Sequence, residues 1–231
     1  MPEIEIAAAD GSGKFGAYVA MPKAKPAGAV VMIQEIFGVN AAMRQLSDWV
    51  AEMGFIAISP DLFWRQEKGV RLDPDAGQAQ WDKAFKLMQG MNQDKAIEDL
   101  KSTIAHARKM DGANGKVATM GFCLGGRLAF MTAARTDADA NISYYGVGIE
   151  GLLGEAGNVK APLILHMAEK DKFVAAYQKS MDEFIAEVDK LEAAVKAGKT
   201  DEALEIHKHL KELEDAGHEK FTQSTDKPKD K

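Results

Sequence analysis

Cysteine is nearly absent: the 231 residues hold one, Cys123. A lone thiol excludes an internal disulfide and any C-x-x-C metal site. Basic residues are in deficit too, with 29 Lys and Arg against 35 Asp and Glu, a net charge of −6. With no basic stripe to displace counterions, nucleic acid is not an expected partner. No apolar run approaches membrane-spanning length, so no membrane partner is expected. The start, Met1-Pro2-Glu3-Ile4-Glu5-Ile6, has neither a basic n-region nor an apolar h-region, and a cytoplasmic location is the expectation. The length suits one α/β domain with at most a small appendage.

What is present centres on Gly121-Phe122-Cys123-Leu124-Gly125-Gly126. The apolar run Val117–Met120 precedes it and a helix-prone stretch, Leu128–Ala134, follows. Strand, Gly-x-nucleophile-x-Gly, helix is the layout of a nucleophile elbow, with Cys where Ser is more usual. A sharp strand-to-helix turn strains the nucleophile's backbone, so its neighbours must let other chain pass close by. The thiol then stands at a helix N-terminus, where dipole and unbonded N–H groups favour thiolate. The competing reading is a Cys buried as a small hydrophobe. A phosphate loop is a second alternative, but the required Lys-Ser/Thr is missing.

Around this motif, strand and helix signals alternate. Ile4–Ala7 and Phe15–Met21 flank Asp10-Gly11-Ser12-Gly13 as a hairpin. Gly28–Ile33 and Phe55–Ser59 are short apolar runs of the kind covered on both faces of a sheet. Asn40 is positioned to cap a helix with apolar positions Met43, Leu46, Trp49, Val50 and Met53. Residues 62–77 read as loop, Gln78–Gln89 and Asp94–Met110 as helices, and Ile142–Tyr145 and Leu163–Met167 as the last strands. Such alternation implies a mostly parallel sheet with helices on both faces, with ligands beyond the strands' carboxyl ends. Glu35, Cys123 and Asp171 each fall just past such an end.

These segments carry a resemblance. Val31–Asn40 (VMIQEIFGVN), Ser59–Phe63 (SPDLF), Lys116–Gly126 (KVATMGFCLGG), Tyr144–Gly148 (YYGVG) and His166–Val174 (HMAEKDKFV) resemble the dienelactone hydrolase family of α/β-hydrolases, over about residues 3 to 175. The resemblance implies a three-layer α/β-hydrolase sandwich that cleaves a small ester or lactone with a Cys-His-Asp triad. Neither cofactor nor metal is implied, and a monomer is expected. It also implies Cys123 as nucleophile, Asp171 as orienting carboxylate, and Glu35 in contact with the resting thiol. The backbone N–H groups of Leu124 and Ile36 would form the oxyanion hole.

Five His residues compete for the triad's third place. His106 lies in a helix before the elbow, and His166, inside a strand, reads as a buried His. Of His207, His209 and His218, the last sits in Ala216-Gly217-His218-Glu219-Lys220-Phe221. That run resembles the family's Ala-Gly-His-x-Phe, a loop following a strand, with one residue added. Yet residues 173–221 read as a helical hairpin: Tyr177, Met181, Phe184, Val188, Leu191 and Val195 recur at heptad-like spacing. Gly198 reads as a C′ stop and Thr200 as an N-cap, and Ala203, Ile206, Leu210 and Leu213 form a second face.

The expected organisation is a hydrolase core over 1–172, the helical segment 173–221 carrying His218, and a disordered charged tail, 222–231. The hairpin also resembles the last two helices of a four-helix b-type cytochrome, with His218 as axial ligand. A bundle needs four helices, so haem is not expected. The alternative function is a catalytically impaired hydrolase fold whose hairpin serves as an interaction or cofactor element. Family members acting on dienelactone clamp the substrate carboxylate with Arg, but Trp81 and Thr222 stand near those positions. Phe85 and Met88 read as core packing of an amphipathic helix. Arg44, Arg65, Arg71 and Arg127 are candidate anion partners that the sequence does not rank.

Overall fold

The computed structural model describes residues 3–167 and 175–221, the side chains at 175–182, 185 and 214–221 excepted. Asp171 and the expected tail, 222–231, lie outside the described residues. The chain divides into two compact units. One is Met1–Ile149 with Gly154–Met167, the other Glu150–Leu153 with Ala168–Lys231.

The first unit is a seven-stranded sheet in the order β1-β2-β4-β3-β5-β6-β7. Its strands are β1 (Glu3–Ala7), β2 (Lys14–Ala20), β3 (Ala27–Ile33), β4 (Ile56–Pro60), β5 (Ala113–Phe122), β6 (Ala140–Tyr144) and β7 (Leu163–His166). The β1–β2 and β2–β4 pairs are antiparallel and the others parallel. The central strands are short apolar runs, as a sheet covered on both faces requires. In β3, Val31, Met32 and Ile33 are fully buried. Side chains alternate along a strand, so Val30 and Met32 face one layer and Val31 and Ile33 the other.

On the first face lies α1 (Ala41–Glu52), whose Met43, Val50 and Ala51 join Val30 and Met32 in one cluster. Asn40 caps it as expected, its Oδ1 accepting from the Met43 N–H at 3.1 Å. The buried face differs from the apolar spacing, however. Trp49 is 53% exposed and Met53 is exposed too, whereas Ser47 is fully buried. Ser47 Oγ bonds Ser59 Oγ at 2.7 Å and the Met43 carbonyl at 2.8 Å, so a satisfied hydroxyl takes a core position. α3 (Gln93–Ala107) and α4 (Leu124–Arg135) pack against β3 as well, on the other face.

Between β4 and α3 come the loop 62–77 and α2 (Gln78–Gln89). The loop is tied down by a fully buried carboxylate. Asp99 accepts from Trp64 Nε1 at 2.8 Å and from Arg65 Nε and Nη2 at 3.0 and 2.7 Å. Arg65 continues to Asp10 and Ser12, which joins the β1–β2 hairpin to α3.

In the second unit, α5 (Ala175–Lys196) and α6 (Thr200–Phe221) form the expected hairpin. Gly198 is the C′ residue, at φ 69°. Its N–H bonds the Val195 carbonyl and that of Lys199 the Ala194 carbonyl, a Schellman turn. The N-cap falls one residue early: the Lys199 carbonyl accepts from Ala203, and Thr200 is already helical. Ala194 and Leu210 are buried, while Val188, Val195 and Leu204 are exposed. Among the described residues no helix is long and apolar enough to cross a membrane.

Candidate active site

β5 ends at Phe122 and α4 begins at Leu124, so Cys123 alone makes the turn. Its φ is 52° and ψ −112°, a region that costs a non-glycine residue about 1–3 kcal/mol. Two contacts hold it there. The Cys123 N–H donates to the Tyr144 carbonyl at 3.0 Å, and its own carbonyl starts α4 by accepting from Arg127 at 3.1 Å. Close approach explains the flanking glycines. A methyl group at Gly125 would collide with the Ile33 and Gln34 carbonyls, and one at Gly126 would lie 2.6 Å from the Tyr144 oxygen. The start of α4 is therefore wedged against the ends of β3 and β6. Cys123 itself is half-buried, which departs from the core-thiol alternative.

Glu35 follows β3 on a peptide that its neighbours immobilise. Gln34, fully buried, accepts the Leu62 N–H at 3.0 Å and donates to the Glu35 carbonyl at 3.4 Å. The next residues are pinned as well: the Phe37 carbonyl accepts from Leu72 at 2.9 Å and that of Val39 from Arg44 Nε at 3.2 Å. The Ile36 peptide between them is thus on a rigid loop. Both expected oxyanion donors, Leu124 and Ile36, have buried side chains. The Leu124 N–H belongs to the first turn of α4, whose N–H groups have no acceptor within the helix.

A residue with no role in the sequence reading completes this cluster. Tyr145 Oη donates to Glu35 Oε1 at 3.3 Å. Its backbone is also in the left-handed region, φ 40°, unusual for so large a residue. The N–H of Tyr145 donates to the His166 carbonyl at 2.7 Å, which locks the turn. Burial, then the charge and hydrogen bond of Glu35, then the nearby Cys123 sulfur push the phenol pKa up to about 12. Burial likewise raises the Glu35 carboxyl above its ordinary value, with the Tyr145 hydroxyl opposing part of the shift. Tyr145, Glu35 and Cys123 are therefore one electrostatic neighbourhood. The only hint in the sequence is a polar aromatic at a strand end that shares the elbow's edge.

The remaining expectations fare differently. His166 is exposed rather than buried, its ring stacked 4.4 Å from Tyr144, which in turn stacks 5.1 Å from Phe122. The three rings occupy paired positions across β5, β6 and β7, so the stack follows from register. Phe85 and Met88 are not core residues of α2. Phe85 is exposed and Met88 half-buried, while Ala84 and Leu87 are buried. His218 lies in the last turn of α6, not in a loop after a strand. The candidate arginines already have partners: Arg44 and Arg71 hold Glu3, Arg65 holds Asp99, and Arg127 holds Gln93 and the Gly148 carbonyl.

A largely parallel sheet with Cys123 on a positive-φ turn into a helix, at the sheet's carboxyl edge, has the layout of an α/β-hydrolase. Solved structures show the same fold. A dienelactone hydrolase-like promiscuous phosphotriesterase from metagenomic libraries matches at TM-score 0.59 and 19% identity, covering 80% of this chain and 77% of its own. Est1E of Butyrivibrio proteoclasticus matches at 0.55 and 14%, covering 78% and 84%. Within that class the chain belongs to the dienelactone hydrolase family, whose model matches residues 15–226, and it is a hydrolase. A protein of Azospirillum brasilense is 50% identical over 177 residues, 76% of this chain and 75% of that one. The carboxymethylenebutenolidase of Pseudomonas putida is 43% identical over 173 residues, 75% of this chain and 72% of that enzyme.

Proposed function

We propose that the chain hydrolyses a small ester or lactone with Cys123 as the acylated nucleophile, His218 as base and Asp171 as the carboxylate orienting it. The carrying observation is Cys123 on its strained turn beside the Tyr145–Glu35 pair. The names of relatives such as carboxymethylenebutenolidase support a lactone or ester carbonyl as the target. On this reading the enzyme works as a cytoplasmic monomer without cofactor.

Glu35, its carboxylate held by Tyr145, contacts the thiol at rest. The neutral His218 imidazole takes the thiol proton, becoming imidazolium, and the thiolate adds to the carbonyl carbon, forming a C–S bond and placing negative charge on the oxygen. The Leu124 and Ile36 N–H groups donate to that oxyanion. Collapse breaks the C–O bond, and the leaving alkoxide takes a proton from the His218 imidazolium, which Asp171 holds through Nδ1–H. Water, deprotonated by the neutral imidazole, then cleaves the thioester and regenerates the thiol.

Turnover of 4-nitrophenyl acetate by the wild type, Cys123→Ala and His218→Ala tests these roles. Cys123→Ala is expected to abolish turnover, and His218→Ala to lower kcat about 10²–10⁴-fold. The helical setting of His218 favours a second reading, in which the fold keeps its nucleophile but lacks a working base. Loss of activity in Cys123→Ala with none in His218→Ala would reject the triad assignment.

A further inference from the structure

Two residues after Glu35 begins a set of aromatic rings, part of which stays exposed. Phe37, two residues on, is buried, and Trp81 of α2 rests edge-on against it with centroids 4.8 Å apart at 88°. The indole N–H donates to the Pro74 carbonyl at 2.9 Å, which fixes the ring although it is 37% exposed. Phe85, one turn further along α2, lies 6.0 Å from Trp81 and is 41% exposed. Tyr145, hydrogen-bonded to Glu35, is 38% exposed. Neighbouring, partly exposed rings such as Trp81 and Phe85, the first fixed by its N–H, offer apolar surface at low entropic cost to a ligand.

Among the described residues, no cation is shown paired with Glu35. Glu35 is an acid, and the Tyr145 hydroxyl that bonds it is a neutral phenol. No guanidinium is left over to balance an incoming anion. All six arginines hold groups of the protein: Arg44 and Arg71 on Glu3, Arg65 on Asp99, Arg108 on Asp139, Arg135 on Glu155, and Arg127 on Gln93 and backbone carbonyls. Lys83, on α2 itself, pairs with Glu67 at 2.7 Å. A carboxylate placed here would meet Glu35 without the bidentate partner such a group needs.

We infer that the site takes esters bearing an uncharged aryl group, stacked on Trp81 and Phe85, and discriminates against substrates that carry a carboxylate on that group. The inference rests on the Cys123 hydrolase reading, and its test separates the two. The matched probes are phenyl acetate and 4-acetoxybenzoate, each rate taken relative to its rate with hydroxide. Wild type is expected to favour phenyl acetate about tenfold or more in kcat/KM. Trp81→Ala should raise KM for phenyl acetate about tenfold with kcat little changed, and leave methyl acetate untouched. Trp81→Phe should restore most of the loss, and Trp81→Arg should shift preference toward 4-acetoxybenzoate. Equal or reversed preference in the wild type, or an equal effect of Trp81→Ala on phenyl and methyl acetate, overturns the inference. If hydrolysis of both still depends on Cys123, the functional reading survives that result. If no ester is turned over, that reading fails, and the Trp81 indole N–H signal in NMR decides the subsite alone. A shift of that signal in Cys123→Ala with phenyl acetate but not 4-acetoxybenzoate supports it, and no shift with either removes it.

Discussion

Arg65 reaches 34 positions along the chain to Asp99 and 55 to Asp10, whereas Lys190 in the C-terminal hairpin reaches three, to Glu187. Most of the described ion pairs follow the contrast, Lys101–Glu98 within α3 being local. In the first unit Arg44 bonds Glu3 and Arg108 bonds Asp139, 41 and 31 positions away. In the hairpin Lys196–Glu192 and Lys199–Glu202 lie within one helical turn. Exposed pairs of the second kind contribute tenths of a kcal/mol and form wherever a helix forms. A buried pair of the first kind exists only once the fold is complete, and removing one partner strands the other. The elbow is built in the first manner: Cys123, Glu35 and Tyr145 come from the ends of three strands, and none is held by its own sequence neighbours alone.

The largest expected break of this contrast is Asp99→Ala. Losing that carboxylate leaves Trp64 Nε1 without its acceptor and Arg65 with Asp10 and Ser12 alone, at a cost of about 3–5 kcal/mol in urea unfolding. A loss under about 1 kcal/mol would show that long-range pairing is not what steadies the core. Gly126→Ala comes next, at about 1–3 kcal/mol, because its methyl group must push the elbow away from the Tyr144 carbonyl. Esterase activity should fall further than stability, and a variant as active as wild type would sink the packing account.

Glu35 gives a smaller, pH-dependent effect. Burial holds its folded-state pKa above the ordinary 4.5, so the folded form keeps its proton where the unfolded chain has lost it. Stability therefore falls as pH rises through that interval. Glu35→Gln should remove this slope and be the more stable form at neutral pH. Unfolding midpoints at pH 4 and pH 8 check the sign, and an unchanged slope in the variant would refute it. Smallest of all is Lys190→Ala, expected within about 0.5 kcal/mol of wild type. A cost above 1 kcal/mol would mean that the hairpin's pairs are not merely local.

Legibility in the sequence follows the same division. Gly198 as a helix stop, the Asn40 cap and the strand-turn-helix around Cys123 were readable because each is decided within a few residues. The faces were less so. Trp49 and Met53 have the right spacing for a core that Ser47 and Ala51 occupy, since Ser59 arrives from β4 to satisfy a hydroxyl. Phe85 fits an amphipathic pattern yet faces outward beside Trp81, and His166 lies exposed on a ring stack set by strand register. Tyr145 could not be singled out, because its partners lie 110 positions away at Glu35 and on a neighbouring strand.

By itself, the sequence determined the alternation of elements, the glycines that let α4 press against the sheet, and the residue that stands on the turn. These depend on local conformational preference and on periodicity, which need no distant partner. Only the tertiary structure decided that a tyrosine steadies Glu35, that every arginine is engaged within the protein, and that Trp81 and Phe85 pair with their rings partly exposed. Each of those outcomes is a meeting of side chains remote in sequence, and such meetings depend on how the sheet brings strand ends together.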